Sequence, residues 1–294
     1  MIRLALTDLD DTFIPFGAKK VSDRTISAIH RMLDAGLEFG PVTGRQPFAM
    51  SWMFGGDERC YATGAFANGQ IVRIDGKTIK VISIPSDVLQ RVADVLEDSG
   101  CPAWLAIYGD APGKFAKLIT RRADAVEANP PDTWGRSVYG TVPKVAPGGH
   151  VKANVQCSCS RPQMVELRDL LRREVPELSF VLPSLTARVI DVNVQGWDKG
   201  DGVRLLAKEL GISQDEVAVF GDSENDLPMM RSVPNSVAVS NASDAVSAAA
   251  RWHIGAAKDD AVAVALDQIT ELAESVRHEL AFSTESPCLM VFPA

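Results

Sequence analysis

Residues 4–13 read LALTDLDDTF, so a run of mostly apolar residues ends on three carboxylates within four positions, Asp8, Asp10 and Asp11. Carboxylates crowded in this way repel one another unless a cation offsets them. Far downstream a second apolar run, VAVFGD, ends on Asp222. In a parallel α/β sheet the functional groups collect beyond the carboxyl ends of the strands. The chain is therefore expected to build a sheet that carries acids from distant segments to one edge.

The rest of the sequence fits that requirement at both ends and departs from it in the middle. After the strand at 2–7, SDRTISAIHRMLDAG has Ser22 as helix cap, Ile26, Ile29 and Leu33 on one face, and Gly36 as a stop. LEFGPVTGR reads as a second strand, weakened by Gly40 and Pro41. The pairs Asn68-Gly69 and Asp75-Gly76 mark tight turns in a small antiparallel section. From about residue 82 helices alternate with strands that form antiparallel pairs: Leu89, Val92 and Leu96 face inward on a helix, and PAWLAIYGD, HVKANVQCS, LSFVL and RVIDVNV read as strands. In the last, Ile190, Val192 and Val194 alternate with Asp191 and Asn193, the mark of a sheet half exposed to solvent. Residues 110–150, rich in Gly and Pro, have no clear pattern. After 196 the βα rhythm returns, with Val203, Leu206 and Leu210 inward on one helix, then VAVFGD, NSVAVSNA and the helices SDAVSAAARW and DDAVAVALDQITELAESV. The expected fold class is α/β: a parallel-sheet, Rossmann-like domain split by an α+β insertion that begins near residue 82 and ends before the βα rhythm returns after 196.

The net charge of −8 argues against a general nucleic-acid binder, which needs a basic surface. The five cysteines are odd in number and scattered, a poor disulfide framework. Cys157 and Cys159 share a strand face but have no partner pair at zinc-like spacing, so no metal site is read there. The N-terminus turns acidic too early for a signal peptide, and no apolar run reaches about 18 residues. The expectation is a soluble cytoplasmic protein with no membrane or nucleic-acid partner. His30, His150, His253 and His278 share no pattern and are read as structural or surface residues. Trp104, Trp134 and Trp197 are read as packing residues in preference to substrate-stacking ones, with pocket lining as the alternative for Trp197, two positions before Lys199.

Asp8 and Asp10 follow the first strand, Thr43 the second and Asp222 the strand VAVFG, while Lys199 opens the helix before VAVFG. Asp8 and Asp222 with a backbone carbonyl and water would make an oxygen-only site suited to Mg²⁺. A hydroxyl, an ammonium and loop N–H groups are donors for phosphate oxygens. Together they describe phosphoryl transfer to an aspartate.

In order, DLDDT, VTGR, DKG and GDSENDLPMM resemble the four motifs of the haloacid dehalogenase superfamily of phosphohydrolases. The long insertion and VAVSNASDAVSAAA resemble its Cof-type branch, and the resemblance, which covers roughly residues 1–270, implies a catalytic core over 1–81 and 190–275, an α+β cap domain at 82–189 and a C-terminal tail at 276–294. It implies Asp8 as nucleophile, forming an aspartyl-phosphate, and Asp10 as general acid and then base, its carbonyl on the metal. Thr43, Gly44, Arg45, Lys199 and Asn225 would bind phosphate or substrate. Asp8, Asp10 and Asp222 would hold Mg²⁺, with Thr12 and Asp226 in support and Asp11 as a loop residue. The implied activity is Mg²⁺-dependent hydrolysis of small phosphomonoesters, sugar phosphates or related metabolites, by a monomer or homodimer. Pro41 stands where the family has an apolar strand residue and is expected to bend the strand without moving the Thr43 hydroxyl.

An Asp at a strand end alone is often a turn former, and the pairing of DLDDT with GDSENDLP is what favours chemistry. A sugar phosphomutase of the same superfamily would need a bisphosphate activator. A phosphoryl-accepting receiver domain is much shorter and takes its phosphoacceptor from a later strand than its acidic pair. An inactive scaffold would not need the intact motif residues.

Overall fold

The computed structural model describes residues 1–109, 116–183 and 187–284. Five parallel strands form the central sheet, in the spatial order Trp252–Ile254, Asn235–Val239, Val217–Gly221, Leu4–Thr7 and Glu38–Pro41. Leu4–Thr7 and Val217–Gly221 are buried along their whole length, as strands covered on both faces must be. Alternation sends Ala5, Ala218 and Phe220 to one face, against helices Asp23–Asp34 and Ala261–Thr284. Leu4, Leu6, Val217 and Val219 go to the other, against helices Lys199–Glu209 and Leu227–Ser232. No helix among the described residues is long and apolar enough to cross a membrane.

The expected helix at 23–34 forms with Ser22 as cap, but its buried stripe is Thr25, Ala28, Ile29 and Met32, rotated so that Ile26 and Leu33 are only partly buried. Pro41 fits the second strand because that strand is the edge of the five-stranded sheet, where a missing N–H is tolerated. Gly40 is needed there: a Cβ on it would lie 2.4 Å from the Thr63 carbonyl oxygen. The close approach lets Thr43 N–H donate to Ala65 O (2.9 Å). Strands Gly64–Phe66, Ile71–Ile74 and Lys77–Val81 make a small antiparallel sheet. Its second turn has Asp75 (φ 50°) and Gly76 (φ 74°) both left-handed, the backbone that Asp-Gly favours in a two-residue hairpin.

The insertion forms a six-stranded sheet in the order Leu178–Val181, Val189–Val194, Ala153–Cys157, Ala103–Ile107, Ala116–Ile119, Val138–Val142, antiparallel except for the last pair. Helices Ser86–Asp98 and Arg161–Glu174 cover one face through Leu89, Val92, Leu167 and Leu171. Four expectations change. Val189–Val194 pairs wholly within this sheet, so a core resuming at 190 would cut a strand, and the insertion's sheet runs to Val194. The segment without a clear pattern holds strands Ala116–Ile119 and Val138–Val142 and helix Ala123–Ala128, with 110–115 outside the described residues. The helix expected to include Trp252 stops at Ala249, and Trp252–Ile254 is the edge strand of the central sheet. The last helix continues to Thr284, through the first half of the expected tail, and 285–294 lie outside the described residues.

The chain leaves the central unit near Val81 and returns after Val194. Both crossings meet at Gln70, which is fully buried. Its Nε2 donates to Ile82 O (3.3 Å) and Val151 O (2.8 Å), its Oε1 accepts from Val194 N–H (3.1 Å), and its carbonyl accepts from Ile82 N–H (2.8 Å).

Candidate active site

The parallel register brings the distant acids together. Asp8 is the first residue after Leu4–Thr7, its N–H donating to Phe220 O (2.9 Å), and Asp222 is the first after Val217–Gly221. Lys199 begins its helix directly after Asp198, whose carboxylate accepts from Gly200 N–H (2.8 Å) and Asp201 N–H (3.2 Å). A Cβ on Gly200 would lie 2.6 Å from Pro228 O, so glycine lets this helix start press against helix Leu227–Ser232 and carries Lys199 inward.

Lys199 is buried to 1% exposure and its Nζ sits between Asp8 Oδ1 (2.5 Å) and Asp226 Oδ1 (2.7 Å). Carboxylate oxygens of Asp8, Asp222 and Asp226 all lie within 4.8 Å of one another. Burial pushes the Asp8 carboxyl well above the usual range; Lys199 opposes this, while Asp226, Asp222 and Asp10 add to it. Burial, then Asp226, pushes Asp222 up to about 7, against the hydrogen bond from Thr12 Oγ1 (2.7 Å) and the charge of Lys199. Burial would lower the Lys199 pKa, but Asp226 and Asp8 together raise it above the ordinary lysine range.

Three buried carboxylates face one ammonium, an imbalance that a hard divalent cation would offset. The all-oxygen donor set suits Mg²⁺. This side-chain cluster contains Asp226 beside Asp8 and Asp222, whereas the expectation from sequence for Asp10 concerns its backbone carbonyl. Asp226 is already committed: its second oxygen accepts from Asp222 N–H (2.9 Å) and Ser223 N–H (3.0 Å). It holds the loop and Lys199. Gly221 leaves room for it, since a Cβ there would be 2.7 Å from the Asp226 Cβ.

The Asp10 carboxylate points outward, with 55% of its side chain exposed. It is gripped by Arg45 through Nε–Oδ2 (2.8 Å) and Nη2–Oδ1 (2.6 Å). The backbone reverses directly after it: Asp11 takes a left-handed φ of 62° and its N–H donates to Ile14 O (2.9 Å). The Arg45 guanidinium also lies over the Trp52 ring at 5.8 Å. Thr43 is fully buried and its Oγ1 accepts from Arg45 N–H (3.2 Å). Asn225 Oδ1 accepts from Ser223 Oγ (2.9 Å), and its Nδ2 is 3.5 Å from Asn68 Oδ1.

Asp8, Asp10, Gly44, Arg45, Asp222 and Asn225 share one cleft of about 1010 Å³. Its roof is the polar face of the six-stranded sheet, including Tyr108, Lys152, Asn154 and Asp191, and one flank is aromatic, with Phe16, Phe48 and Trp52. Trp197 lines a separate, smaller cleft on the far side of Lys199, and its Nε1 donates to Gly69 O (2.7 Å).

Little in the sequence points to this roof. Asp191 and Asn193, read as the solvent side of their strand, are buried to 5% and 7% exposure. They accept from Asn68 Nδ2 (2.9 and 3.0 Å), and Lys152 Nζ donates to the other oxygen of Asp191 (2.9 Å). The only sequence signal was Asn68-Gly69: Ala67, Asn68 and Gly69 are all left-handed, and that turn aims the Asn68 amide across the cleft. Gly44 lies against it, as a Cβ there would be 3.1 Å from Asn68 Oδ1.

A family model described as haloacid dehalogenase-like hydrolase matches residues 5–266. A putative phosphatase of Haemophilus influenzae is 24% identical over 279 residues, covering 91% of this chain and 98% of that protein. Among solved structures, SMU.1108c from Streptococcus mutans superposes with a TM-score of 0.76 at 18% identity, over 92% of this chain and 99% of that one. The subclass IIB sugar phosphatase BT4131 superposes with a TM-score of 0.70 at 18% identity, over 91% and 98%.

Proposed function

Since the chain belongs to the haloacid dehalogenase-like hydrolases, we propose that it is a phosphatase that hydrolyses small phosphomonoesters, sugar phosphates or related metabolites, through a phosphorylated Asp8. One observation carries the reading. Asp8 lies at the floor of the cleft beside a buried ammonium, and a second acid two residues on stands at the mouth in the grip of Arg45.

Asp8 attacks phosphorus and displaces the leaving oxygen, which takes a proton from Asp10. Asp10 then removes a proton from the water that attacks the aspartyl-phosphate, releasing phosphate and restoring Asp8. Thr43 Oγ1 and the Lys199 ammonium donate to the phosphoryl oxygens, and Arg45 keeps Asp10 within reach of both oxygens that exchange protons. Mg²⁺, held by Asp8, Asp222 and the Asp10 carbonyl, would supply charge to offset that of the transferring group. The cleft between the floor and the polar roof accepts a hydroxylated leaving group, with Lys152, Asn154 and Tyr108 as hydrogen-bond partners.

Asp10→Asn is the test. A substrate with a good leaving group can still phosphorylate Asp8, but hydrolysis stalls, so about one phosphate per chain should be trapped on Asp8 after acid quench, and little on the wild type. Phosphate on any other residue would overturn the assignment. Wild-type release strongly accelerated by a sugar bisphosphate would favour a phosphomutase.

A further inference from the structure

Among the described residues, two groups bring three potential metal ligands together. One is the acidic cluster of the cleft. The other is His30, Asp57 and Cys60, whose ligand atoms all lie within 4.8 Å of one another and which shares no residue with the cleft. We propose that His30, Asp57 and Cys60 form a second metal site, for a borderline-soft divalent ion of the Zn²⁺ class.

The three side chains come from two segments that the fold clamps together. His30 sits within helix Asp23–Asp34, and Cys60 ends the short turn Glu58–Cys60 that Asp57 precedes. Gly55 (φ 64°) and Gly56 (φ 86°) make the left-handed reversal that turns Asp57 back toward the helix. His30 Nε2 and Asp57 Oδ2 are 2.6 Å apart, and Cys60 lies beneath them, fully buried. The first two side chains are 34% and 26% exposed, so an ion has a path from solvent.

An imidazole nitrogen, a carboxylate oxygen and a thiol are a poor set for Mg²⁺, which takes oxygen and keeps its waters, and a good one for Zn²⁺. Three protein ligands leave the fourth tetrahedral position for water. Bonds of about 2.1 Å to nitrogen and oxygen place those ligand atoms about 3.4 Å apart on a tetrahedron. The His30–Asp57 pair must therefore open by less than an ångström while the thiol closes in. Cys60 binds as thiolate, so formation of the S–metal bond releases its proton to solvent. The ion would fix the loop that follows Trp52 to the helix, and with it one flank of the cleft.

The test uses the full chain with Mg²⁺ in excess to fill the acidic cluster, and Co²⁺ as the probe. The wild type should develop thiolate-to-cobalt absorption in the near ultraviolet that saturates at one ion per chain and is displaced by Zn²⁺. Cys60→Ser should abolish that absorption. His30→Ala should weaken binding by at least about 10-fold, since even partners that only orient a ligand are worth that much. If Cys60→Ser fails to fold, His30→Ala and Asp57→Asn, which alter the more exposed side, decide the matter. No such band in the wild type would overturn the site. So would a band that survives Cys60→Ser, which would belong to other cysteines, or unchanged affinity in both surface-side variants.

Discussion

Replacing Asp222 with asparagine should make the metal-free protein more stable at neutral pH and remove its stabilisation by Mg²⁺. Burial and Asp226 push the Asp222 carboxyl up to about 7 from 3.8. With the pKa raised, the folded chain keeps a proton that the unfolded chain gives up. The stability this contributes is present in full below pH 3.8 and is lost as pH rises through about 7. At about 1.4 kcal/mol per unit, the whole span is worth at most about 4 kcal/mol. Asparagine removes the charge and keeps an oxygen to accept from Thr12 Oγ1, now at 2.7 Å. A gain of about 3 kcal/mol would raise the unfolding midpoint by about 6–12 °C for a chain of this size. Thermal unfolding in EDTA at pH 5 and pH 8, repeated with Mg²⁺, measures it. Wild type and variant should differ less at pH 5, where only the span from 3.8 to 5 has been crossed and the gap is about 1.6 kcal/mol. At pH 8 the variant should unfold later, and Mg²⁺ should stabilise only the wild type. A gap that is absent at pH 8, or equal at both pH values, would refute the view that this buried charge is what the cation offsets.

Lys199→Met strips the ammonium from Asp8 and Asp226 and should cost about 3–5 kcal/mol at neutral pH, with turnover down at least about 10²-fold; unchanged denaturant unfolding would contradict the buried pairing. Gly69→Ala puts a Cβ 2.4 Å from Asp198 O at a φ of 91°. It should destabilise by at least about 1–3 kcal/mol, and a wild-type unfolding midpoint would show that this turn is not pinned.

What the sequence revealed depended on whether a residue's meaning was local. Asp8, Thr43, Lys199 and Asp222 could be placed because each ends a strand or starts a helix, and a parallel sheet gathers such ends at one edge. Asp191 and Asn193 could not, because alternation shows that the two faces of a strand differ and does not say what covers the polar one. Here that face roofs the cleft. The strand Trp252–Ile254 escaped notice because it is three residues long and its Trp and His are exposed at a sheet edge. The boundary at 190 failed because Val189–Val194 is paired by partners distant in sequence, and its own residues suit either sheet. His30, Asp57 and Cys60 carry no motif spacing, and only the packing of helix against loop unites them.

The bonds made by Gln70 decide how the two walls of the cleft can travel. Sliding the roof sideways by the length of a hydrogen bond would break every contact this one amide makes with Ile82, Val151 and Val194. Turning the roof about an axis through the amide would strain them far less, so Gln70 is placed where a pivot would be. Ala153–Cys157 lies close to that axis, and Val138–Val142 is three strands away across the sheet. At about 4.8 Å per strand that is about 14 Å, so a turn of about 10° moves the far edge by about 2.5 Å and the near one hardly at all. Lys152 and Asp191 would then keep a fixed distance from Asp8 whatever the opening, while Arg136 and Ser137 sweep in and out. The cleft would have a stationary gauge near the reacting phosphorus and a moving jaw at the far end of the substrate.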